Sequence, residues 1–239
     1  MRKLLWAECQ KIRRLKVVWI TIFATIMVAI IVFAQGQFVY YGSRYIDSSG
    51  WYMTSAQSLA TFYVLPAVIA LLGSYMICRE DQEDTIKSLK LIPVNETKMT
   101  IAKMMVCFVF SILIYLLLFF ITLVVEVIFH FNALSAEMVL GFLKIYLLDG
   151  LGVFLAISPI IALVSQKKKG YWLALVFTEI YSFAGIFVSM SKTLKNFYPI
   201  TAVFNLSGYY KSTLRSMLLA FVILLLCGVF SIVILKKED

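Results

Sequence analysis

The chain has 239 residues, of which 62% are apolar or aromatic and 15% charged, and its mean hydropathy is +0.92. Soluble domains carry about 25% charged residues, so this composition excludes a water-solvated globule. The 22 basic residues outnumber the 13 acidic ones, an excess that loop orientation across a membrane accounts for without nucleic acid as a partner.

The first sixteen residues place Leu5, Cys9, Ile12 and Leu15 at helical spacing, with Glu8, Lys11 and Arg14 on another face. That pattern predicts an amphipathic helix lying in the membrane interface as an elbow ahead of the first span. A hydrocarbon core of about 30 Å takes roughly 20 helical residues to cross, and six segments reach that length: 17–34, 59–78, 104–125, 140–164, 171–188 and 214–235. The expected fold is therefore all-α, a polytopic membrane protein forming a single domain over 1–239, since no linker, repeat or low-complexity tract divides it. Cys9, Cys78, Cys107 and Cys227 fall in or beside apolar segments without metal-ligand spacing, and read as small buried or interfacial side chains.

Basic residues alternate between the connections. Arg2, Lys3, Lys11, Arg13, Arg14 and Lys16 precede the first span; Arg79, Lys87, Lys90, Lys98 and Lys103 follow the second; Lys167, Lys168 and Lys169 follow the fourth; and Lys236 and Lys237 follow the sixth. The other side holds only Arg44, Lys192, Lys195 and Lys211. Positive residues beside span ends stay in the cytoplasm, which predicts both termini there.

Between the second and third spans, Glu80, Asp81, Glu83 and Asp84 precede Thr85, and Ile86, Leu89 and Ile92 recur at every third position. This predicts a short amphipathic cytoplasmic helix whose acidic first turn suits the helix dipole. Pro93 ends it, and Asn95 or Thr97 caps a new helix running through Lys98 and Lys103 into the third span. Three acids lie in or beside the spans: Glu126 at the outer end of the third, Asp149 in the fourth and Glu179 in the fifth. Ionisable groups cost about 2.5–3.5 kcal/mol at the bilayer centre on insertion scales, so each is a candidate functional residue or an interhelical hydrogen-bonding group that fixes packing, the latter reading leading for Glu126 and Asp149, with Glu179 the deepest. Lys144 lies about 140° around the helix from Asp149, so Asp149 needs partners on other helices. His130 follows Glu126 by four residues and faces the same side. The Asp149-Gly150-Leu151-Gly152 run sits within a span, where small residues permit close helix packing.

The outer connections 35–58 and 189–213 are rich in Phe, Tyr and Trp, as in an interfacial aromatic belt or a surface meeting an amphiphile. Pro199 marks short helices dipping toward the outer leaflet. No GxxxxGK[ST] phosphate loop, HExxH pair or GxSxG elbow occurs, so the residues carry neither nucleotide hydrolysis nor another enzymatic chemistry, and they call for no cofactor or metal.

In layout the whole chain resembles an ABC-2-type transporter permease, above all the small six-span subunits of bacitracin-resistance and lantibiotic-immunity exporters. Ala7-Glu8 and Lys11 before the first span carry the resemblance, together with the acids, Thr85, Leu89, Pro93 and the Ala102-Lys103 pair leading into the third. Relatives commonly have Gly where Asp84 stands. The resemblance implies that Glu80, Asp81, Glu83, Thr85, Ile86 and Leu89 dock in a cleft of a separate ATP-binding subunit, helped by the elbow residues Glu8, Lys11 and Arg14. It further implies two ATPase copies holding ATP and Mg, a second permease of the same or different sequence, and a bacterial plasma-membrane location. The cargo it suggests is a lantibiotic or other peptide antibiotic drawn from membrane lipid. The residues leave open export of another peptide, a lipid or an ion, and an ATP-independent carrier using Glu179 as its proton site.

Overall fold

The computed structural model of the chain describes residues 2–236 except 14, 41, 83–95, 166–169, 192 and 211, and at 2, 3, 40, 81, 82, 96 and 97 it describes the backbone alone. The described helices are α1 (Arg2–Ile12), α2 (Lys16–Gly36), α3 (Trp51–Leu59), α4 (Leu65–Gln82), α5 (Glu96–His130), α6 (Ala136–Ser165), α7 (Trp172–Ser189), α8 (Pro199–Ser207) and α9 (Leu214–Lys236). Among the described residues six helical segments are long and apolar enough to cross a membrane: Lys16–Gly36, Trp51–Glu80, Lys98–Ala133, Ala136–Ser165, Trp172–Ser189 and Leu214–Lys236. They coincide in order with the six segments expected from the sequence. Among the described residues the only strands are Val39–Tyr40 and Ser43–Arg44, a two-residue antiparallel ladder turned by Gly42 at φ +86°.

The second span begins eight residues earlier than hydropathy suggests. Thr54, Ser55, Gln57 and Ser58 interrupt the apolar run, yet α3 carries straight on into α4 through a π turn at Ala60–Val64. Pro66 has no N–H to give the preceding turn and its ring crowds the carbonyl there; a widened turn takes up that misfit. The residues 51–58, read as part of an outer loop, are thus helical, and the Tyr52 ring is buried with its hydroxyl donating to Ala29 O at 2.9 Å. In α6, Pro159 leaves the Leu155 carbonyl without its helical donor, and Ser158 Oγ donates to that oxygen instead at 2.9 Å.

α5 spans 35 residues, about 52 Å at 1.5 Å per residue, and so overreaches a hydrocarbon core of about 30 Å. It starts at Glu96 and runs on through the third span, while the cap expected at Asn95 or Thr97 lies outside the described side chains. The end of the bundle bearing α1 is called proximal here and the opposite end distal.

Lipid tails are as apolar as leucine, so the spans associate through close packing and buried hydrogen bonds. Gly150 lies where a Cβ would come within 3.1 Å of Ile112 Cα, and Gly152 where one would come within 3.0 Å of Val203. These glycines let α5 and α8 seat against α6, and Ser111 Oγ donates to Gly150 O at 2.8 Å across the first contact. α7 turns Ala174, Thr178, Ser182 and Gly185 inward. The short α8 is buried along most of its length. Phe204 stacks on Phe62 with ring centroids 4.4 Å apart and touches Tyr209 and Tyr210.

Candidate functional site

At the proximal end one carboxylate joins three helices. Glu80 Oε1, on the last turns of α4, accepts from Lys11 Nζ of α1 at 2.8 Å, while Glu80 Oε2 accepts from Lys103 Nζ of α5 at 2.6 Å. Lys11 also donates to Glu8 Oε1 at 2.7 Å. Glu8, Glu80 and Lys103 are 3%, 7% and 3% exposed, whereas the Lys11 side chain is 46% exposed. Burial by itself would lower the Lys11 pKa, but hydrogen bonds and charge attraction from Glu8 and Glu80 hold it above its ordinary 10.5. A raised pKa leaves the stabilisation intact below that ordinary value and removes it only as pH climbs through the folded-state value, so the pairing persists throughout the neutral range.

Apolar packing underlies the ion chain: Ile12 and Leu15 meet Leu72, Met76 and Val106, with Leu5 alongside. Two face assignments on α1 therefore change. Glu8 joins the packed face, and Cys9 is exposed. The counter-charge of Lys11, itself held by Glu80 of α4, makes an inward Glu8 tolerable. Helical periodicity alone assigned Glu8 to the wet side.

Of the residues proposed to meet an ATP-binding partner, Glu80, Glu8 and Lys11 converge here. Glu80 faces into the bundle, not outward. Asp81 continues the α4 backbone, with its side chain outside the described part; Arg14, Glu83, Thr85, Ile86 and Leu89 lie outside the described residues altogether. Residues 83–95 thus connect two helices, α4 and α5, that are pinned together by Glu80 and Lys103. Lys103 is marked in sequence as part of the Ala102-Lys103 pair that leads into the third span, but its pairing with Glu80 has no sequence signal.

Each intramembrane acid meets different company. Asp149 is fully buried, at 0% exposed, and its Oδ2 accepts from Gln57 Nε2 of α3 at 2.7 Å. The same Nε2 lies 3.5 Å from Ser207 Oγ at the end of α8, and Asp149 Oδ1 has no hydrogen-bond partner. Partners on other helices are therefore present, and the exposed Lys144 is not among them. Close by, the Thr61 and Tyr115 hydroxyls lie 3.0 Å apart, and Tyr146 donates to Met53 O at 2.8 Å.

Glu126 is also buried, but at the distal end. It accepts from the Gly50 N–H at 2.6 Å and lies 3.1 Å from His130 Nδ1 in a contact that is not aligned as a hydrogen bond. Gly50 precedes α3 at φ +80°, so Glu126 sets negative charge at a helix start, where the dipole favours it. His130 Nε2 lies 3.1 Å from Asp47 O. Glu179 lies near the middle of α7, half-buried against the rest of the chain, and no hydrogen bond or ion pair reaches it among the described residues. No group of three His, Cys, Asp or Glu among the described residues could hold a metal ion.

Comparison with known proteins adds a family. Residues 4–185 match the model of the ABC-2 family transporter protein. Over 118 residues the chain is 30% identical to the bacitracin transport permease protein BCRB of Bacillus licheniformis, a match covering 49% of this chain and 56% of that protein. The family match takes in α1, the proximal ion chain, Gln57 and Asp149, and ends within α7.

Proposed function

The chain belongs to the ABC-2 transporter family, and from that premise we propose that it is the permease subunit of an exporter whose ATPase is a separate protein. The observation that carries this reading is the proximal brace. A loop that receives a push must hang from something that does not yield, and Glu80 ties both of its roots, α4 and α5, to each other and to α1. Such a base lets force applied to 83–95 move whole helices.

In this reading Glu83, Thr85, Ile86 and Leu89, with Asp81, form the surface that seats on the ATP-binding subunit, and Glu80 acts as an inward brace. Arg14, on the elbow, supports the same contact. Two ATPase copies, which bind ATP and Mg, drive two permeases of like or unlike sequence. The proximal end faces the cytoplasm of a bacterial cell, in keeping with its concentration of basic residues. A peptide antibiotic is the proposed cargo, expelled from the membrane to give resistance; the likeness to a bacitracin permease supports it.

The test is co-purification of the chain with its ATPase, followed by Glu83→Ala combined with Ile86→Ala. Two anchors lost from an interface should weaken assembly and cargo-stimulated ATP turnover by at least about fivefold. Unaltered assembly and turnover would remove this loop as the docking site.

A further inference from the structure

In their proximal halves α5 and α9 both pack on α6 but leave a gap between themselves. Gly228, where a Cβ would come within 3.1 Å of Leu155 Cδ2, brings α9 against α6. Beside that contact a groove of about 330 Å³ opens toward the hydrocarbon, within the roughly 300–1,000 Å³ of ligand pockets. Its floor is Phe154, Ser158 and Leu235, all buried, and Met105 and Val229 stand exposed on its rim. The polar atoms in the wall are few. Ser158 Oγ is committed to Leu155 O, but Ser231 Oγ is buried without a partner.

We infer that this groove binds one chain of an anionic phospholipid, with the headgroup at Lys236 and Lys98. Residues three or four apart share a helix face. Lys98 lies one turn outward from Ile101, which lines the groove, and Lys236 one turn outward from Ile232, which also lines it. Both lysines are exposed. An apolar trench ending under two cations matches a molecule with an acyl chain and a phosphate. Ser231 lies about 7.5 Å deeper along α9 than Lys236, below the phosphate level, where a phospholipid presents its ester carbonyls. A donated hydrogen bond to such a carbonyl gives the orphaned hydroxyl the acceptor that a group in hydrocarbon needs. This inference stands apart from any transport role.

The full-length chain, reconstituted in phosphatidylcholine discs with a minor share of phosphatidylglycerol, is extracted and its retained lipid counted by native mass spectrometry. Wild type is expected to keep phosphatidylglycerol in preference to phosphatidylcholine. Val229→Phe, a rim substitution at an exposed position, should abolish retention. Lys236→Gln and Lys98→Gln should each weaken it about fivefold, the worth of one basic residue against an anionic headgroup. Equal retention of the two lipids, or retention undiminished in Val229→Phe, overturns the inference. So does a wild-type dimer without bound lipid that Val229→Phe breaks, an outcome that gives the groove to a second copy.

Discussion

Glu80 holds two ammonium groups, and they are not equivalent. Lys103 is buried with it, whereas Lys11 is half in water and shared with Glu8. Removing one partner from a buried pair costs about 3–5 kcal/mol because the other charge is stranded; a pair open to solvent is worth about 0–1 kcal/mol. Lys103→Met should therefore lower the thermal unfolding midpoint in detergent far more than Lys11→Met does, and equal losses would mean that Glu80 draws its support from elsewhere. The same residue shows what a single sequence conceals. Glu80 looked like the first acid of an exposed helix turn, and nothing along the chain announces that Lys103, 23 positions away, will close on it.

Among elements, the contact that joins α3, α6 and α8 runs through Gln57. Its amide donates to Asp149 and reaches toward Ser207, three helices meeting on one side chain in a medium that offers no water. Gln57→Leu leaves a buried carboxyl oxygen with no donor and should destabilise the bundle by about 1–3 kcal/mol. Asp149→Asn keeps an acceptor for Gln57 while removing a group that is expensive in hydrocarbon when charged, so its unfolding midpoint should equal or exceed that of wild type. Loss of stability in Asp149→Asn, measured by the same melting assay, would show that the charge itself holds the helices. Gly150 and Gly152 act at this scale too, since they set the distances at which α5 and α8 lie against α6. The Gly-Leu-Gly run following Asp149 was readable as a packing device, but which helices it would admit was not.

For the molecule as a whole, six spans return the chain to the side it started from, so α1 and the end of α9 share the proximal face. Cys9 is an exposed thiol on α1, while Cys78 and Cys107 are buried. With the proximal end in the cytoplasm, a membrane-impermeant maleimide should label Cys9 in inverted vesicles and spare it in intact cells; labelling in intact cells would reverse the orientation proposed from the basic residues. The all-α class, the six spans and their order follow from the sequence alone, because transfer into hydrocarbon is a sum over local stretches of chain and each span satisfies its own backbone. Hydropathy could not recover the early start of the second span, the burial of α8, the inward turn of Glu8 and Glu80, or the full burial of Asp149 beside a half-buried Glu179. Those depend on which surface of one helix meets which surface of another, a choice made by packing and by polar groups distant in sequence finding each other where water cannot serve them.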